Sequence, residues 1–178
     1  YIRAAQGGVG EAKTAGNYAA ALYPSKLARE QGYDQVLWLD AVHHKFVPEV
    51  GTMNIFFVFN NEIVTPATSG TILKGITRAS TLEILRGNGH TVNERDLSID
   101  EVLSRYQAGE LIEVFGTGTA ALIANVEEIK YDNHFIRLDS SNWALSTSIK
   151  DEINGMRFGT IEDKRGWTVP VKEVAVTA

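Results

Sequence analysis

A long apolar run, MNIFFVF at residues 53–59, constrains the fold of this chain more than any other feature. Such a run predicts a buried strand, and Asn60-Asn61 after it predicts a tight hairpin with the next run, EIVTP. A buried strand requires a packed core around it. With 178 residues, of which 44% are hydrophobic, the chain is large enough for one large domain or two small ones.

Short strands and helices alternate along the rest of the chain, which predicts a mixed α/β fold of the α+β type. Further strands are predicted at residues 34–40 and within LIEVFGTG and TAALIANVEEIKY, with a glycine turn between the last two. The segment His43-His44-Lys45 is interpreted as a turn.

Four segments predict helices. The first, YAAALYPSKLAREQ, has Asn17 as its expected N-cap and Pro24 as an expected kink or break. A later helix begins with the capping box formed by Ser98 and Glu101. The other two predicted helices cover ITRASTLEILRGNG and NWALSTSIKDEINGMRFG.

The composition argues against several partners and chemistries. A net charge of −5 leaves no basic surface for a phosphate backbone, so nucleic acid is not expected. The apolar runs are far shorter than the roughly 20 residues that span a bilayer, so no membrane association is expected. The absence of cysteine excludes disulfides and thiol nucleophiles and favours a cytoplasmic location. Because the first residue is Tyr1 rather than methionine, we expect the chain to be part of a longer polypeptide.

Lys13 is the most distinctive candidate for chemistry. It lies in GGVGEAKTAGNY, where almost every neighbour is Gly, Ala or Thr, so a flat, bulky group can approach its amine. Pyridoxal phosphate is such a group: it needs a lysine for its imine link, a carboxylate for its ring nitrogen and helix-start amides for its phosphate. The alternative is that Lys13 is one of eight lysines and lies in a flexible glycine loop.

Two glycine turns offer suitable amides for an anion. Gly75 directly precedes a predicted helix, so the amides of Ile76 and Thr77 face outward at the positive end of its dipole. A second turn, GTGT at 116–119, brings amides and hydroxyls together and includes Thr119. Small polar turns also end strands in most proteins, so a structural role stays open for each.

Glu49 is the best candidate for the carboxylate. It lies in VPEVGTMNIFF, between apolar residues and just before the buried strand. A buried carboxylate requires a partner, and a protonated pyridine nitrogen would serve. A position on an edge strand, from which Glu49 points to solvent, is equally open.

Several of these segments together resemble the C-terminal domain of branched-chain amino acid aminotransferases, the class IV pyridoxal phosphate transaminases. The resemblance lies in the order and spacing of GGVGEAKTAGNYAA, QVLWLD, EVGTMNIFFV, GTILKGITR, EVFGTGTAA and a late GW. It covers nearly the whole chain. It implies a fold type IV architecture, a mixed sheet or pseudo-barrel with flanking helices, as a single C-terminal cofactor-binding domain over residues 1–178. The family's smaller N-terminal domain is then missing, and the parent enzyme is implied to be a homodimer.

The resemblance also implies a reaction. The parent enzyme would transfer an amino group between leucine, isoleucine or valine and 2-oxoglutarate, as in branched-chain amino acid biosynthesis, with pyridoxal phosphate as cofactor. Catalytic Lys13 would form the Schiff base and move a proton between the substrate's α-carbon and the cofactor's C4′ carbon. Tyr18 would hydrogen-bond the ring's phenolic oxygen, and Glu49 would pair with the ring nitrogen.

Further site residues are implied by the same resemblance. Ile76, Thr77 and Thr119 would hold the cofactor's phosphate. Thr119 and Ala120 would face the substrate's carboxylate, and Thr52 would support the region of the ring nitrogen from behind. No metal is implied.

Three features depart from the family pattern. Leu73-Lys74-Gly75 replaces the usual Leu-Pro-Gly before the phosphate helix, so the turn is less constrained and carries an additional positive charge. GGVG has valine where threonine is frequent, and ALIA at 121–124 lacks the cysteine pair of some animal members. The last two changes leave Lys13 unaffected.

Other functions stay open on the sequence. Another class IV enzyme, such as a D-amino acid transaminase or an aminodeoxychorismate lyase, has the same fold, although EVGTMN favours the branched-chain enzymes. The isolated chain is expected to be poorly active, and it could be a non-catalytic fragment that packs a dimer or binds cofactor weakly. A metal hydrolase using His43, His44, His90 and His134 is disfavoured, because an adjacent pair cannot chelate one metal as an i, i+4 helical pair does.

Overall fold

A computed structural model describes residues 1–169 and 171, and all elements below lie in that part of the chain. The predicted domain, 1–178, ends outside it. Four α-helices and seven β-strands are found among the described residues. In chain order they are α1 (Ala15–Glu30), β1 (Asn54–Phe59), β2 (Ile63–Thr65), α2 (Ile76–Gly87), β3 (Val92–Glu94), α3 (Ile99–Gln107), β4 (Leu111–Gly118), β5 (Leu122–Asn125), β6 (Glu128–Tyr131), β7 (His134–Arg137) and α4 (Ala144–Phe158).

Five strands form one mixed sheet in the order β3-β2-β1-β4-β5. Strand β1 pairs antiparallel with β2 and β4, β4 pairs antiparallel with β5, and β2 pairs parallel with β3. Strands β6 and β7 form a separate antiparallel hairpin. The mixed sheet and its flanking helices confirm the predicted α/β class.

The apolar run predicted as a buried strand is buried on both faces of the sheet, because every residue of β1 is buried. Successive side chains of a strand point to opposite faces. Ile55 and Phe57 therefore join a cluster with α3 and the β6–β7 hairpin, while Phe56 and Val58 join a second cluster with α2 and α4. The sheet lies between two cores, which explains why β1 shows no polar alternation.

Several local predictions are confirmed. The hairpin after β1 pairs Val58 with Ile63, and the second helix ends at Gly87. The Ser98 side chain caps α3 by accepting a hydrogen bond from the backbone N–H of Glu101 at 3.1 Å. The last helix ends at Gly159, whose φ of 72° is the left-handed conformation that glycine adopts most easily.

The start of the first helix differs from the prediction. Thr14 occupies the N-cap of α1, and Asn17 lies inside the helix. The amide of Asn17 instead donates hydrogen bonds to the carbonyls of Val9 and Ala12, so this side chain fixes the preceding glycine loop. Pro24 is buried inside one continuous helix, so the predicted break is wrong.

The strand predicted at 34–40 is also wrong, because this segment forms only an isolated bridge between Leu37 and Val50. The backbone hydrogen bonds of this segment, from Trp38 to Glu49 and from Asp40 to Phe46, end at Asp40. The carboxylate of Asp40 accepts hydrogen bonds from four backbone N–H groups of residues 42–46. These bonds hold the turn predicted at His43-His44-Lys45, and they keep the pKa of Asp40 well below its usual range despite partial burial.

Two strands were not anticipated, and one predicted strand divides. The parallel strand β3 and the hairpin strand β7 are short and mostly exposed, so they lack the apolar pattern of a buried strand. The run predicted as one strand after the glycine turn forms β5 in the main sheet and β6 in the separate hairpin. In the part of the chain described, no helix has the length and apolarity needed to cross a bilayer.

Candidate functional site

One large cavity, of about 1360 Å³, lies where the starts of α1 and α2 meet the turn between β4 and β5. Its lining includes every residue predicted for the site: Lys13, Tyr18, Glu49, Thr52, Ile76, Thr77, Thr119 and Ala120. The fold thus brings together residues from four separate parts of the sequence.

Lys13 lies between the glycine loop and the first helix, and its side chain is exposed. Its Nζ is 5.6 Å from the centre of the Tyr18 ring. Asn17 fixes the loop through its bonds to Val9 and Ala12, at 2.8 and 3.0 Å. The amine is therefore accessible from the cavity, while the backbone that carries it is held in place.

Glu49 is only 2% exposed, which rules out the alternative of a solvent-facing carboxylate. Its Oε1 accepts hydrogen bonds from Asn54 Nδ2 at 2.8 Å and from the backbone N–H of Leu73 at 3.2 Å. Its Oε2 forms an ion pair with Nε of Arg3. Burial raises the pKa of the Glu49 carboxyl to about 7, against the opposing effects of the Arg3 charge, the Leu73 N–H and the Arg78 charge.

Gly75 is the N-cap of α2, and it has no side chain that competes for the first amides of the helix. The first helical bond runs from the N–H of Ala79 to the carbonyl of Gly75, at 3.0 Å. The amides of Ile76 and Thr77 precede that bond and so have no acceptor within the helix. A Cβ on Gly75 would lie 2.3 Å from Asn54 Oδ1, so the turn has room for glycine alone.

The turn between β4 and β5 forms the opposite wall of the cavity. Thr119 and Ala120 are exposed there. Thr117, at the end of β4, is 1% exposed, and its hydroxyl has no hydrogen-bond partner among the described residues. A buried hydroxyl without a partner is costly, so Thr117 marks a position suited to a bound polar group.

Two residues of the site, Arg3 and Asn54, were not predicted from the sequence. Asn54 carries a detectable signal, because it is a polar residue at the head of an apolar strand. Thr117 lies in the GTGT segment that was predicted as a turn, but residues 116–118 form the end of β4, and the turn follows them. Arg3 has no local signal, because its contacts are with residues far along the chain.

The histidines do not form a comparable centre. His43 lies 3.3 Å from the carboxylate of Asp40 in an exposed turn. Within residues 1–169 and 171, no group of three or more histidines and acidic residues is placed to hold a metal ion.

The family described as Amino-transferase class IV matches residues 3–129, which is more than half of the chain. The chain therefore belongs to the class IV aminotransferases, and the resemblance seen in the sequence is confirmed. This match includes the loop around Lys13, the carboxylate of Glu49, the Gly75 turn and the turn between β4 and β5.

The names of individual relatives are more specific than the description of the family. The chain is 51% identical over 172 residues to branched-chain-amino-acid transaminase 1 of Bacillus subtilis (strain 168), covering 96% of this chain and 48% of that protein. Among solved structures, it is similar to a branched-chain amino acid aminotransferase from Escherichia coli, with 31% identity and a TM-score of 0.78, over 94% of this chain and 53% of that one.

A third similar protein was solved in its PLP-form, the holo-form. It is the branched-chain amino acid aminotransferase from Thermobaculum terrenum, at 25% identity and a TM-score of 0.67, over 85% of this chain and 47% of that one. The chain spans about half the length of the curated relatives it matches.

Proposed function

We propose that this chain is the cofactor-binding domain of a pyridoxal phosphate-dependent transaminase acting on leucine, isoleucine or valine with 2-oxoglutarate. The observation that carries the proposal is the common cavity, which places a lysine, a buried carboxylate and the open start of a helix around one space. The names of the relatives support the choice of substrate.

The residues of the cavity fit this cofactor in three respects. The Gly75 turn leaves free amides at the positive end of α2, where a phosphate is favoured. The unpartnered hydroxyl of Thr117 offers a further polar contact at the opposite wall. Glu49 supplies a buried carboxylate whose pKa is raised to about 7, so it attracts a proton more strongly than an exposed acid and can share one with a ring nitrogen.

When bound, pyridoxal phosphate would accept electrons from the α-carbon of the amino acid as its proton leaves. Lys13 Nζ is the base that would take this proton, since its exposed amine lines the cavity 5.6 Å from the centre of the Tyr18 ring. Glu49 would hold a proton on the ring nitrogen, and Tyr18 would donate a hydrogen bond to the ring's phenolic oxygen.

The anionic groups would be bound at the two turns. The amides of Ile76 and Thr77, with the hydroxyls of Thr77 and Thr119, would hold the phosphate. The backbone N–H groups of Thr119 and Ala120 would face the substrate's carboxylate, so that one end of the amino acid is fixed near Lys13. Thr52 lines the same cavity and would support the carboxylate region.

The remaining parts of the enzyme belong to the same proposal. Because the chain spans about half of its relatives, we propose that a smaller N-terminal domain completes the side-chain pocket. We further propose that the complete enzyme is a homodimer. We also propose that it acts in the cytoplasm, because a sequence without cysteine fits a reducing compartment.

The test is to add pyridoxal phosphate to the chain and follow imine absorbance, then fix the product with borohydride and map the modified lysine. Lys13→Ala should abolish the absorbance and the label. Lys26→Ala, an exposed lysine paired with Glu30 at 3.7 Å on the first helix, is the matched control and should behave as wild type. A label on another lysine would refute the assignment.

The substrate is tested separately in the full-length polypeptide. Amino transfer to 2-oxoglutarate from leucine, isoleucine and valine should exceed transfer from D-alanine. The opposite preference would indicate another class IV enzyme, and cofactor labelling at Lys13 with no transfer from any amino acid would indicate a non-catalytic domain.

A further inference from the structure

The Glu49 carboxylate is held by donors from three separate segments of the chain. One oxygen accepts hydrogen bonds from the side chain of Asn54 and the backbone of Leu73. The other oxygen pairs with Nε of Arg3, and the Arg3 side chain is itself only 10% exposed. A buried charge pair of this kind fixes both partners, because each would be costly to leave unpaired.

Arg3 also ties the carboxylate to the two loops that bear the other site groups. Its Nη1 donates hydrogen bonds to the carbonyl of Gly10 at 3.1 Å and to the carbonyl of Thr71 at 2.5 Å. Gly10 lies in the loop that leads to Lys13, and Thr71 lies in the loop that leads to the Gly75 turn. One guanidinium therefore contacts Glu49 and both loops that lead to the other site groups, which is three of the four segments around the cavity.

The two loops touch directly where Arg3 joins them. A Cβ on Gly10 would lie 2.6 Å from the Cα of Thr71, so the backbones approach closely there. The planar fork of arginine reaches the carboxylate with Nε and both carbonyls with Nη1 at the same time. The single ammonium of a lysine has no such fixed fork, so it would not reproduce these contacts together.

The electrostatic setting makes the charge of Arg3 important for Glu49. Burial favours the protonated carboxyl, and the Arg3 charge is the largest influence that opposes burial. The second cation that acts on Glu49 is Arg78, from the first turn of α2. Arg78 is already engaged with the carbonyl of Pro66 at 2.9 Å and the carboxylate of Glu94 at 2.8 Å.

We propose that Arg3 is a positioning residue that keeps the Glu49 carboxylate ionised and oriented toward the cavity, so that a protonated pyridine nitrogen meets a charged partner. This inference rests on the proposed function, because it assumes that the pyridine ring of the cofactor pairs with Glu49. Arg3 itself does not act on the substrate. Without its charge, Glu49 would hold its own proton up to a higher pH and would stabilise one on the ring less well.

The first measurement needs no cofactor. Isotope-edited infrared spectroscopy of the cofactor-free chain follows the protonation of Glu49, with Glu49→Gln used to identify its band. In Arg3→Met the midpoint of the Glu49 titration should move upward by at least one pH unit, which corresponds to a tenfold higher proton affinity of the carboxylate. Arg137→Met removes an arginine whose side chain is 69% exposed and which pairs with Glu128, so it is the matched control and should leave the Glu49 titration unchanged.

An unchanged Glu49 titration in folded Arg3→Met would overturn the proposal and leave Arg3 with a packing role alone. If circular dichroism shows that Arg3→Met does not fold, Arg3→Gln decides the question, because glutamine keeps hydrogen-bond donors without the positive charge. An upward shift of the Glu49 titration in Arg3→Gln supports the proposal. A titration identical to that of the wild type overturns it.

The second measurement uses pyridoxal phosphate labelled with ¹⁵N in its ring, whose nitrogen chemical shift reports protonation. In Arg3→Met the ring nitrogen should lose its proton at a pH at least one unit below the wild-type value. A nitrogen that keeps its proton equally well in both would overturn the inference. If the wild-type chain does not bind the cofactor at Lys13, the proposed function fails, whereas the infrared titration still tests the Arg3–Glu49 pair.

Discussion

Replacing Gly75 by alanine tests whether the Gly75 turn requires glycine. Alanine has the higher helix propensity, so a loss of stability in Gly75→Ala would come from the shape of the turn. The added Cβ would lie 2.3 Å from Asn54 Oδ1, so the Asn54 side chain must rotate away. That rotation breaks two bonds from Asn54 Nδ2, to Glu49 Oε1 and to the Leu73 carbonyl, both at 2.8 Å. A buried bond to a charged group and one to a neutral carbonyl together stabilise by roughly 2–4 kcal/mol, which is the expected loss.

Two assays measure this effect. Urea unfolding, followed by the fluorescence of the buried Trp38, gives the change in the free energy of unfolding, and titration with pyridoxal phosphate gives its affinity, which should fall at least tenfold in Gly75→Ala. Gly16→Ala is the matched control, because a Cβ there meets nothing within 4 Å and α1 should gain up to about 1 kcal/mol. If Gly75→Ala keeps wild-type stability and cofactor affinity, the role given to Asn54 and the turn is wrong.

Two further predictions concern buried carboxylates. Because the pKa of Glu49 is raised from 4.5 to about 7 in the folded chain, the free energy of unfolding without cofactor should fall by about 3 kcal/mol as the pH rises between these values. Urea unfolding at several pH values should show this fall in the wild type, and an equal fall in Glu49→Gln would contradict it. Glu113 accepts hydrogen bonds from the N–H groups of Leu145 and Ser146, at 2.9 and 3.0 Å, so Glu113→Ala should cost about 2 kcal/mol in thermal unfolding. Glu113→Gln keeps one acceptor and should cost less, whereas equal losses would show that the negative charge matters more than the hydrogen bonds to the first turn of α4.

The parts of the fold that could be predicted are those in which local pattern and tertiary environment agree. The strand β1 is apolar because it lies between two cores, and α3 begins at Ser98 because its hydroxyl satisfies a local N–H. Both features are visible in the local sequence, as an unbroken apolar run and as a capping box. The strand predicted at 34–40 is wrong: Trp38 is buried, at 1% exposure, and the apolar residues beside it are partly buried, but the Asp40 turn ends their pairing.

The candidate site shows a similar division. Lys13, Glu49 and the Gly75 turn were predictable because each has an unusual local context. The resemblance to a known family indicated that all three would bind one cofactor. Arg3 was not predictable from the sequence. Its carbonyl acceptor on Thr71 lies 68 residues away, and no pattern near the start of the chain records that contact. Long-range bonds of single side chains are invisible without the three-dimensional fold.

The pairing of β1 with β4 limits how this fold tolerates insertions and deletions. Asn54 and Thr117 are direct cross-strand partners at the cavity end of the pair. A slip of one residue would send each side chain to the opposite face and empty both positions at once. The far end of the same pair already contains a register shift, between Val58 and Phe59. We therefore expect evolutionary changes in length to accumulate near that irregular end and its hairpin, while the number of residues between Asn54 and Phe57 stays constant.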